Sequence, residues 1–130
     1  VDTYIGSVTP TQGMVYQYLK KDLFDKNLTK LCDLYRPRLD ALLSSLDEYL
    51  PSAVYPRPEG GFFVGATLPE GNSMDKLLPA ALEAGFKLTD GRGFYLNPKD
   101  GDRFLRIPFC SLTPEDIKHS IEQLSKIIKH

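Results

Sequence analysis

The chain has 130 residues, 42% of them hydrophobic and 25% charged, and its formal net charge is −1. A chain of this length is typical of one globular domain and can bury roughly two-thirds of its unfolded surface in a single core. The near-neutral charge gives no reason to expect nucleic acid or an anionic membrane as a partner, and no apolar run approaches the ~20 residues of a membrane span.

The two cysteines, Cys32 and Cys110, match no CxxC or zinc-binding spacing. We therefore expect buried, reduced thiols in a cytoplasmic protein. Because the chain begins with Val1 rather than methionine, we expect a processed product or a piece of a longer protein.

The first half of the chain is predicted to be helical after an irregular arm at residues 1–13. Four apolar side chains then share one helical face: Met14, Val15, Tyr18 and Leu19. This helix should end near Lys20–Lys21, whose charges favour a helix C-terminus. A second, long helix is capped by Asp25 or Asn27. It carries Pro37 inside its apolar repeat, so we expect a kink or a split there.

Strand-forming runs follow in the second half. Residues 57–69 read Arg-Pro-Glu-Gly-Gly-Phe-Phe-Val-Gly-Ala-Thr-Leu-Pro. The Gly60–Gly61 pair predicts a turn, and the apolar run after it predicts a buried central strand. Residues 103–109 predict a second strand and residues 86–89 a third, while Val54–Tyr55 is a candidate for another short one.

Two more helices are expected between and after these strands. Ser73 is placed to cap a helix that ends at Gly85, and Thr113 caps the last helix, with Pro114 at its first position. Together the elements predict an α+β fold. A small, mainly antiparallel sheet of about three to four strands would pack against helices on one face.

Arg106 is the candidate for chemistry in this pattern. It lies between Leu105 and Ile107, and strand alternation places it on the opposite face from both, together with Phe104 and Pro108. A guanidinium is always charged and binds a carboxylate through two parallel hydrogen bonds, so it is suited to hold an amino acid or a keto acid. The alternative is a solvated or salt-bridged arginine at the edge of the sheet.

Other patterns in the sequence are weaker evidence for a functional site. The 91–93 bend, Gly-Arg-Gly, lacks the strand–GxGxxG–helix setting of a phosphate site and more simply forms a turn. Ser73 and Lys76 match S-x-x-K without its partner motifs. His119 and His130 have no ligand at metal-binding spacing, so no metal site is expected. The chain therefore offers one candidate anion-binding residue, Arg106, and no set of side chains typical of a catalytic nucleophile or base.

Several motifs occur together in a characteristic order. They are Tyr35-x-x-Arg38-x-Asp40, the segment 57–64, Ala84-Gly85, Gly91-x-x-Phe94 and Leu105-Arg106-Ile-Pro-Phe109. From about Thr9 to Ile128, the chain resembles the C-terminal part of the fold-type I, class I/II pyridoxal-phosphate aminotransferases. The resemblance is greatest to the branch that contains 2-aminoadipate and kynurenine aminotransferases.

The resemblance implies a substrate-binding role for one residue and a place near the site for four others. In this family the strand arginine, here Arg106, receives the α-carboxylate of the substrate. Gly60 and Gly61 would lie near the substrate entrance. Gly91 and Phe94 would lie on the adjacent turn.

The resemblance also divides the chain. Residues 1–22 would be a leading arm and helix from the end of a missing large domain, and residues 23–130 the small C-terminal domain. The family's Schiff-base lysine and phosphate-binding residues lie upstream of this region. We therefore expect no catalytic residue in this chain, no pyridoxal phosphate bound to it and no activity from it alone.

The parent protein would be a pyridoxal-phosphate enzyme. It would transfer an amino group between an amino acid and a 2-oxo acid as a cytoplasmic homodimer, with no nucleic acid or membrane partner. Two alternatives stay open. The chain could be the effector domain of an aminotransferase-like transcription regulator of the GntR/MocR type, or an independent module that binds a small ligand or a protein.

Overall fold

A computed structural model describes residues 8–129. In chain order its helices and strands are α1 (Thr9–Lys20), α2 (Leu23–Tyr49), β1 (Phe63–Thr67), α3 (Met74–Glu83), β2 (Phe104–Pro108) and α4 (Pro114–Ser125). Two short 3₁₀ helices, η1 (Gly91–Phe94) and η2 (Pro98–Gly101), lie between α3 and β2. The chain divides into two compact units between Leu34 and Tyr35, within α2. The predicted domain boundary after residue 22 stays a prediction.

The first unit consists, among the described residues, of α1 and the first part of α2. The predicted irregular arm at 1–13 lies partly outside the described residues, and its last part is helical because α1 begins at Thr9, with Pro10 in the first turn. No side chain between Val8 and Leu34 is buried. Its exposed large hydrophobic residues are Val8, Met14, Val15, Tyr16, Leu19, Leu23, Phe24, Leu28, Leu31 and Leu34.

So much exposed apolar helix surface is typical of a surface that another polypeptide covers. None of the helices within residues 8–129 has the length and hydropathy needed to cross a membrane.

α2 continues through Pro37 to Tyr49 without a break, so the split is wrong, and the kink predicted as its alternative stays a prediction. Proline removes one backbone donor and crowds the preceding turn. Leu42 and Leu46, on the turns that follow, are fully buried in the core of the second unit. We infer that this packing holds the helix together beyond the proline.

The core of the second unit lies between one face of the sheet and the helices. Its buried members are Leu42, Leu43, Leu46 and Leu50 from α2 and its end, Val64, Ala66 and Leu68 from β1 and its end, Met74 and Leu77 from α3, Leu105 and Phe109 from β2 and its end, and Ile117, Ile121, Leu124 and Ile128 from α4 and its end. The apolar residues of α4 and its end, which recur every three or four positions, therefore all lie in this core.

β1 and β2 form a two-stranded antiparallel sheet in which Gly65 lies opposite Arg106. Along β1, buried residues alternate with more exposed ones, as side chains of period two require, and in β2 Leu105 is buried between the more exposed Phe104 and Arg106. Val64, Ala66 and Leu105 face the core. We call the opposite side, which carries Arg106, the outer face.

The predicted third and fourth strands do not form in the described part of the chain. Val54 makes only an isolated bridge with Thr67. Residues 86–89 belong to no strand, because the segment begins as the closing turn of α3: the N–H of Phe86 donates to the carbonyl of Ala81. The apolar alternation of this segment is real, but a strand also needs a partner at hydrogen-bonding distance.

The helix ends follow the local sequence. Gly85 has φ +86°, the left-handed conformation expected of a glycine after a helix. The hydroxyl of Thr113 accepts from the N–H of Asp116 at 3.2 Å, as predicted. Ser73 occupies the cap position of α3, but its side chain makes no capping hydrogen bond. The N–H of Met74 donates instead to the carbonyl of Asp102, at 2.9 Å.

Candidate functional site: an arginine between aromatic rings

Arg106 lies on the outer face of β2, where two aromatic rings flank its side chain. Its Cζ atom is 3.4 Å from the ring centroid of Phe63, on the neighbouring strand, and 5.3 Å from that of Phe94, in η1. Rings in these positions attract a cation electrostatically. Phe63 is 38% exposed and Phe94 49% exposed, so a ligand can reach the site from solvent.

The charge of Arg106 has no anionic partner in the segment from residue 8 to residue 129. Its guanidinium makes neither an ion pair nor a hydrogen bond there, although the side chain is half-buried. A guanidinium offers five N–H donors, and two of them match the two oxygens of a carboxylate. The arrangement is therefore suited to binding a carboxylate ligand.

The structure brings together two of the four predicted neighbours of Arg106. Phe94 contacts the guanidinium directly. Gly91, the first residue of η1, lies against the start of β2: a Cβ atom at Gly91 would be 1.9 Å from the carbonyl oxygen of Phe104. Gly60 and Gly61 are exposed, and an added Cβ at either would meet nothing within 4 Å. Their connection to the site is through the sequence, because they come just before Phe63.

Sequence reasoning missed Phe63, and it placed Phe104 on the face of Arg106 without giving it a role in the site. Phe63 supplies the closer of the two rings, and Phe104 packs edge-to-face against Phe94 at 6.0 Å and against Tyr95 at 5.5 Å. Alternation could have placed Phe63 on the outer face, opposite its buried neighbour Val64. The pairing with β2 could not have been obtained that way, because it depends on the strand register.

A second arginine, Arg92 in η1, has the opposite surroundings. Arg92 donates to Asp90 through Nε (3.0 Å to Oδ1) and Nη2 (2.9 Å to Oδ2), and to Oδ1 of Asp75 through Nη1 (2.7 Å). Oδ1 of Asp102 lies 3.9 Å from the same Nη1. The hydrogen bonds from Arg92 lower the pKa of Asp90, and those to Asp90 and then Asp75 raise the pKa of Arg92. Sequence reasoning did not find this cluster.

Another ion cluster fixes the chain just before the Gly60–Gly61 turn. Arg57 donates to both carboxylate oxygens of Asp47 on α2, at 2.6 and 2.7 Å, and the Tyr55 hydroxyl donates to the same carboxylate. Hydrogen bonds from Tyr55 and then Arg57 lower the pKa of Asp47. Burial and the bond to Asp47 raise the pKa of Tyr55 to about 12.

The lysines are the residues that could link a pyridoxal cofactor covalently. Every lysine of the chain lies among the described residues, and every one is exposed. A Schiff-base lysine is activated by desolvation or by a neighbouring cation, and an exposed side chain lacks the first of these. Across residues 8–129, no group of His, Cys, Asp or Glu could hold a metal ion. None of the lysines has the buried setting of a Schiff-base lysine, and the site at Arg106 is suited to a carboxylate.

No protein-family model matches the chain, but individual proteins do. Aromatic-amino-acid aminotransferase 1 of Thermococcus litoralis is 34% identical over 93% of this chain and 29% of its own length. The crystal structure of a multiple substrate aminotransferase from Thermococcus profundus aligns with a TM-score of 0.83, at 30% identity, over 90% of this chain and 29% of that one. The chain is a relative of the aminotransferases.

A third protein ties the resemblance to a branch of the family. The α-aminoadipate aminotransferase of Thermus thermophilus, solved in complex with N-(5'-phosphopyridoxyl)-L-leucine, aligns with a TM-score of 0.74. The identity is 30%, over 88% of this chain and 29% of that one. The resemblance to aminotransferases of the 2-aminoadipate type is thereby confirmed. The chain spans about 30% of the length of these relatives.

A protein of another class also matches. The HTH-type transcriptional regulator NorG of Staphylococcus aureus is 27% identical over 95% of this chain and 28% of its own length. A sequence of this kind therefore also occurs in a protein that is not named as an enzyme.

Proposed function

We propose that this chain forms the substrate-carboxylate-binding part of a longer pyridoxal-phosphate aminotransferase, which transfers an amino group between an amino acid and a 2-oxo acid. The observation that carries the proposal is the half-buried guanidinium of Arg106, flanked by two rings and without an anionic partner among residues 8–129. The aminotransferase relatives support the class of reaction.

Arg106 binds the carboxylate that the amino acid and the 2-oxo acid have in common, through two parallel N–H···O hydrogen bonds. Because Phe63 and Phe94 lie against the guanidinium, the carboxylate meets its N–H edge. Apolar surroundings strengthen such a charged hydrogen bond by excluding water. Holding the substrate at a fixed orientation lowers the barrier to the steps that follow.

The cofactor is held by residues outside this chain. The exposed lysines support this division of labour, since none has the setting of a Schiff-base lysine. By itself the chain binds no pyridoxal phosphate at a defined site and transfers no amino group. The longer protein is a cytoplasmic homodimer in which Gly60, Gly61, Gly91 and Phe94 lie near the bound substrate.

The carboxylate site is tested on the 130-residue chain by titrating it with phenylpyruvate while following the arginine Nε–H resonances by NMR. The Arg106 resonance should shift with phenylpyruvate and not with the corresponding amide, which lacks the carboxylate. Arg106→Gln should abolish the response. Arg36→Gln is the matched control, because Arg36 is an exposed helical arginine that makes no ion pair in the described chain.

An equal response to the amide, or a full response in Arg106→Gln, would remove the carboxylate assignment. A second experiment tests the division of labour: the chain is mixed with pyridoxal phosphate, reduced with borohydride and mapped by mass spectrometry. Scattered, substoichiometric labels on surface lysines are expected. One lysine labelled one-to-one would mean that the chain builds its own cofactor site.

The match to NorG favours a second candidate, the effector domain of an aminotransferase-like transcription regulator. The carboxylate site at Arg106 would then bind an effector instead of a substrate. The two candidates differ in the rest of the polypeptide: a basic DNA-binding domain upstream of this region identifies the regulator. An upstream domain with a buried, cofactor-linked lysine and transaminase turnover identifies the enzyme.

A further inference from the structure

We propose that Arg92 is a positioning residue for Arg106. Its ion pairs with Asp90 and Asp75 hold η1 in place. η1 in turn presents Phe94 to the guanidinium that receives the carboxylate. The inference rests on the proposed function and adds to it a residue that does not touch the substrate.

Arg92 joins separate parts of the second unit. Asp75 lies in the first turn of α3, Asp90 caps η1, and Asp102 follows η2. The side chain of Arg92 is only 29% exposed, so water screens its pairs less than it screens pairs on the open surface. Isolated surface pairs contribute little, but pairs that share one bidentate arginine form a network with defined geometry. Arg92 thus ties η1 to α3.

The backbone of η1 is packed tightly against its neighbours. A Cβ atom at Gly91 would lie 1.9 Å from the carbonyl oxygen of Phe104, and one at Gly101 would lie 2.6 Å from the carbonyl oxygen of Gly91. η2, η1 and the start of β2 are therefore in contact through their main chains. A close-packed main chain cannot absorb a displacement by changing a rotamer, so a shift of η1 moves the groups at its end.

The group at the end of η1 is Phe94, the last residue of the 3₁₀ helix. Its ring centroid is 5.3 Å from Cζ of Arg106, and the ring packs edge-to-face on Phe104. With Phe94 held there, the guanidinium loses less freedom when a ligand binds, which favours affinity. When η1 is released, the side chain of Arg106 gains orientations that do not fit the ligand.

The test compares Arg92→Gln with wild type in the 130-residue chain, by two readouts. The first is the Nε–H resonance of Arg106 without ligand, which the ring currents of its two aromatic neighbours shift; it is identified by its loss in Arg106→Lys. The second is the dissociation constant for phenylpyruvate. In Arg92→Gln the resonance should move toward that of exposed Arg36, and the affinity should fall several-fold.

Two further variants provide a second test of the same ion pairs and a control. Asp75→Asn removes only the charge of the α3 partner of Arg92. It should shift the resonance toward that of Arg36, and it provides the test if Arg92→Gln fails to fold. Lys126→Gln removes an ion pair with Glu122 elsewhere on the surface and should change neither readout.

A lower melting temperature in Arg92→Gln and Asp75→Asn with an unchanged Arg106 resonance and unchanged affinity would overturn the proposal, since Arg92 would then only stabilise the fold. The ligand-free resonance separates this proposal from the proposed function. If wild type binds no phenylpyruvate but the resonance still depends on Arg92, the carboxylate assignment fails and the positioning stands.

Discussion

The core face and the outer face of the β1–β2 ribbon use alternate residues of the same two strands, and their surroundings are opposite. On the core face, Val64, Ala66 and Leu105 are at most 1% exposed and belong to the apolar core. The outer face carries a charge between partly exposed rings. A side-chain period of two therefore lets adjacent residues serve stability and ligand binding separately. Substitutions on the two faces should separate in the same way.

The largest effect is expected on the core face, from Leu105→Ala. It removes a buried side chain and leaves a cavity, which should lower the free energy of unfolding by about 2–5 kcal/mol. Urea denaturation followed by circular dichroism measures the loss. Leu82→Ala is the control, because Leu82 is 72% exposed and its truncation should change stability by about 0.5 kcal/mol or less. Equal losses in the two variants would contradict the assignment of the core.

An intermediate effect is expected on the outer face, from Gly65→Ala. The new Cβ would lie 2.8 and 2.9 Å from two ring atoms of Phe104, so the ring must move. The cost in unfolding free energy should be about 1 kcal/mol, because the far end of a side chain can give way. The ring resonances of Phe94 and Tyr95, which pack on Phe104, should shift.

Gly13→Ala, a substitution into open space on α1, should leave those ring resonances unchanged. Wild-type ring resonances in Gly65→Ala would show that the outer-face rings are not packed as described.

The smallest effect on stability is expected from Arg106→Met, which keeps a long unbranched side chain against Phe63 and removes the charge. No ion pair is lost within the described chain, so the loss should stay below about 1 kcal/mol, the size of an exposed cation–π contact. Thermal melting beside Leu105→Ala measures it. A loss as large as that of the neighbouring leucine would mean that Arg106 has a structural partner.

The elements that sequence reasoning predicted well are those that local chemistry determines. The Thr113 cap and the left-handed Gly85 each depend on a few adjacent residues, and both are confirmed. The position of Arg106 on the outer face followed from alternation alone. Residues 86–89 failed as a strand because pairing depends on distance to another segment, which no local pattern contains.

The surroundings of the candidate site were less accessible to sequence reasoning. Arg92 and Asp75 are 17 residues apart, and only the fold brings their side chains to 2.7 Å. Phe63 meets Arg106 through the register of two strands that are about forty residues apart in the sequence. Motif resemblance pointed to Arg106, Gly91 and Phe94, but the packing between them depends on the fold.

The bare surface of α1 has a consequence for how the chain behaves over time. α1 has 12 residues and buries none of them, and helices of this length are marginal in water without packing. Its amide hydrogens should therefore exchange with solvent deuterium far faster than those of α4, whose Ile117, Ile121 and Leu124 are buried. When another polypeptide covers that surface, exchange of the α1 amide hydrogens should slow. The time at which it slows would therefore report when assembly occurs.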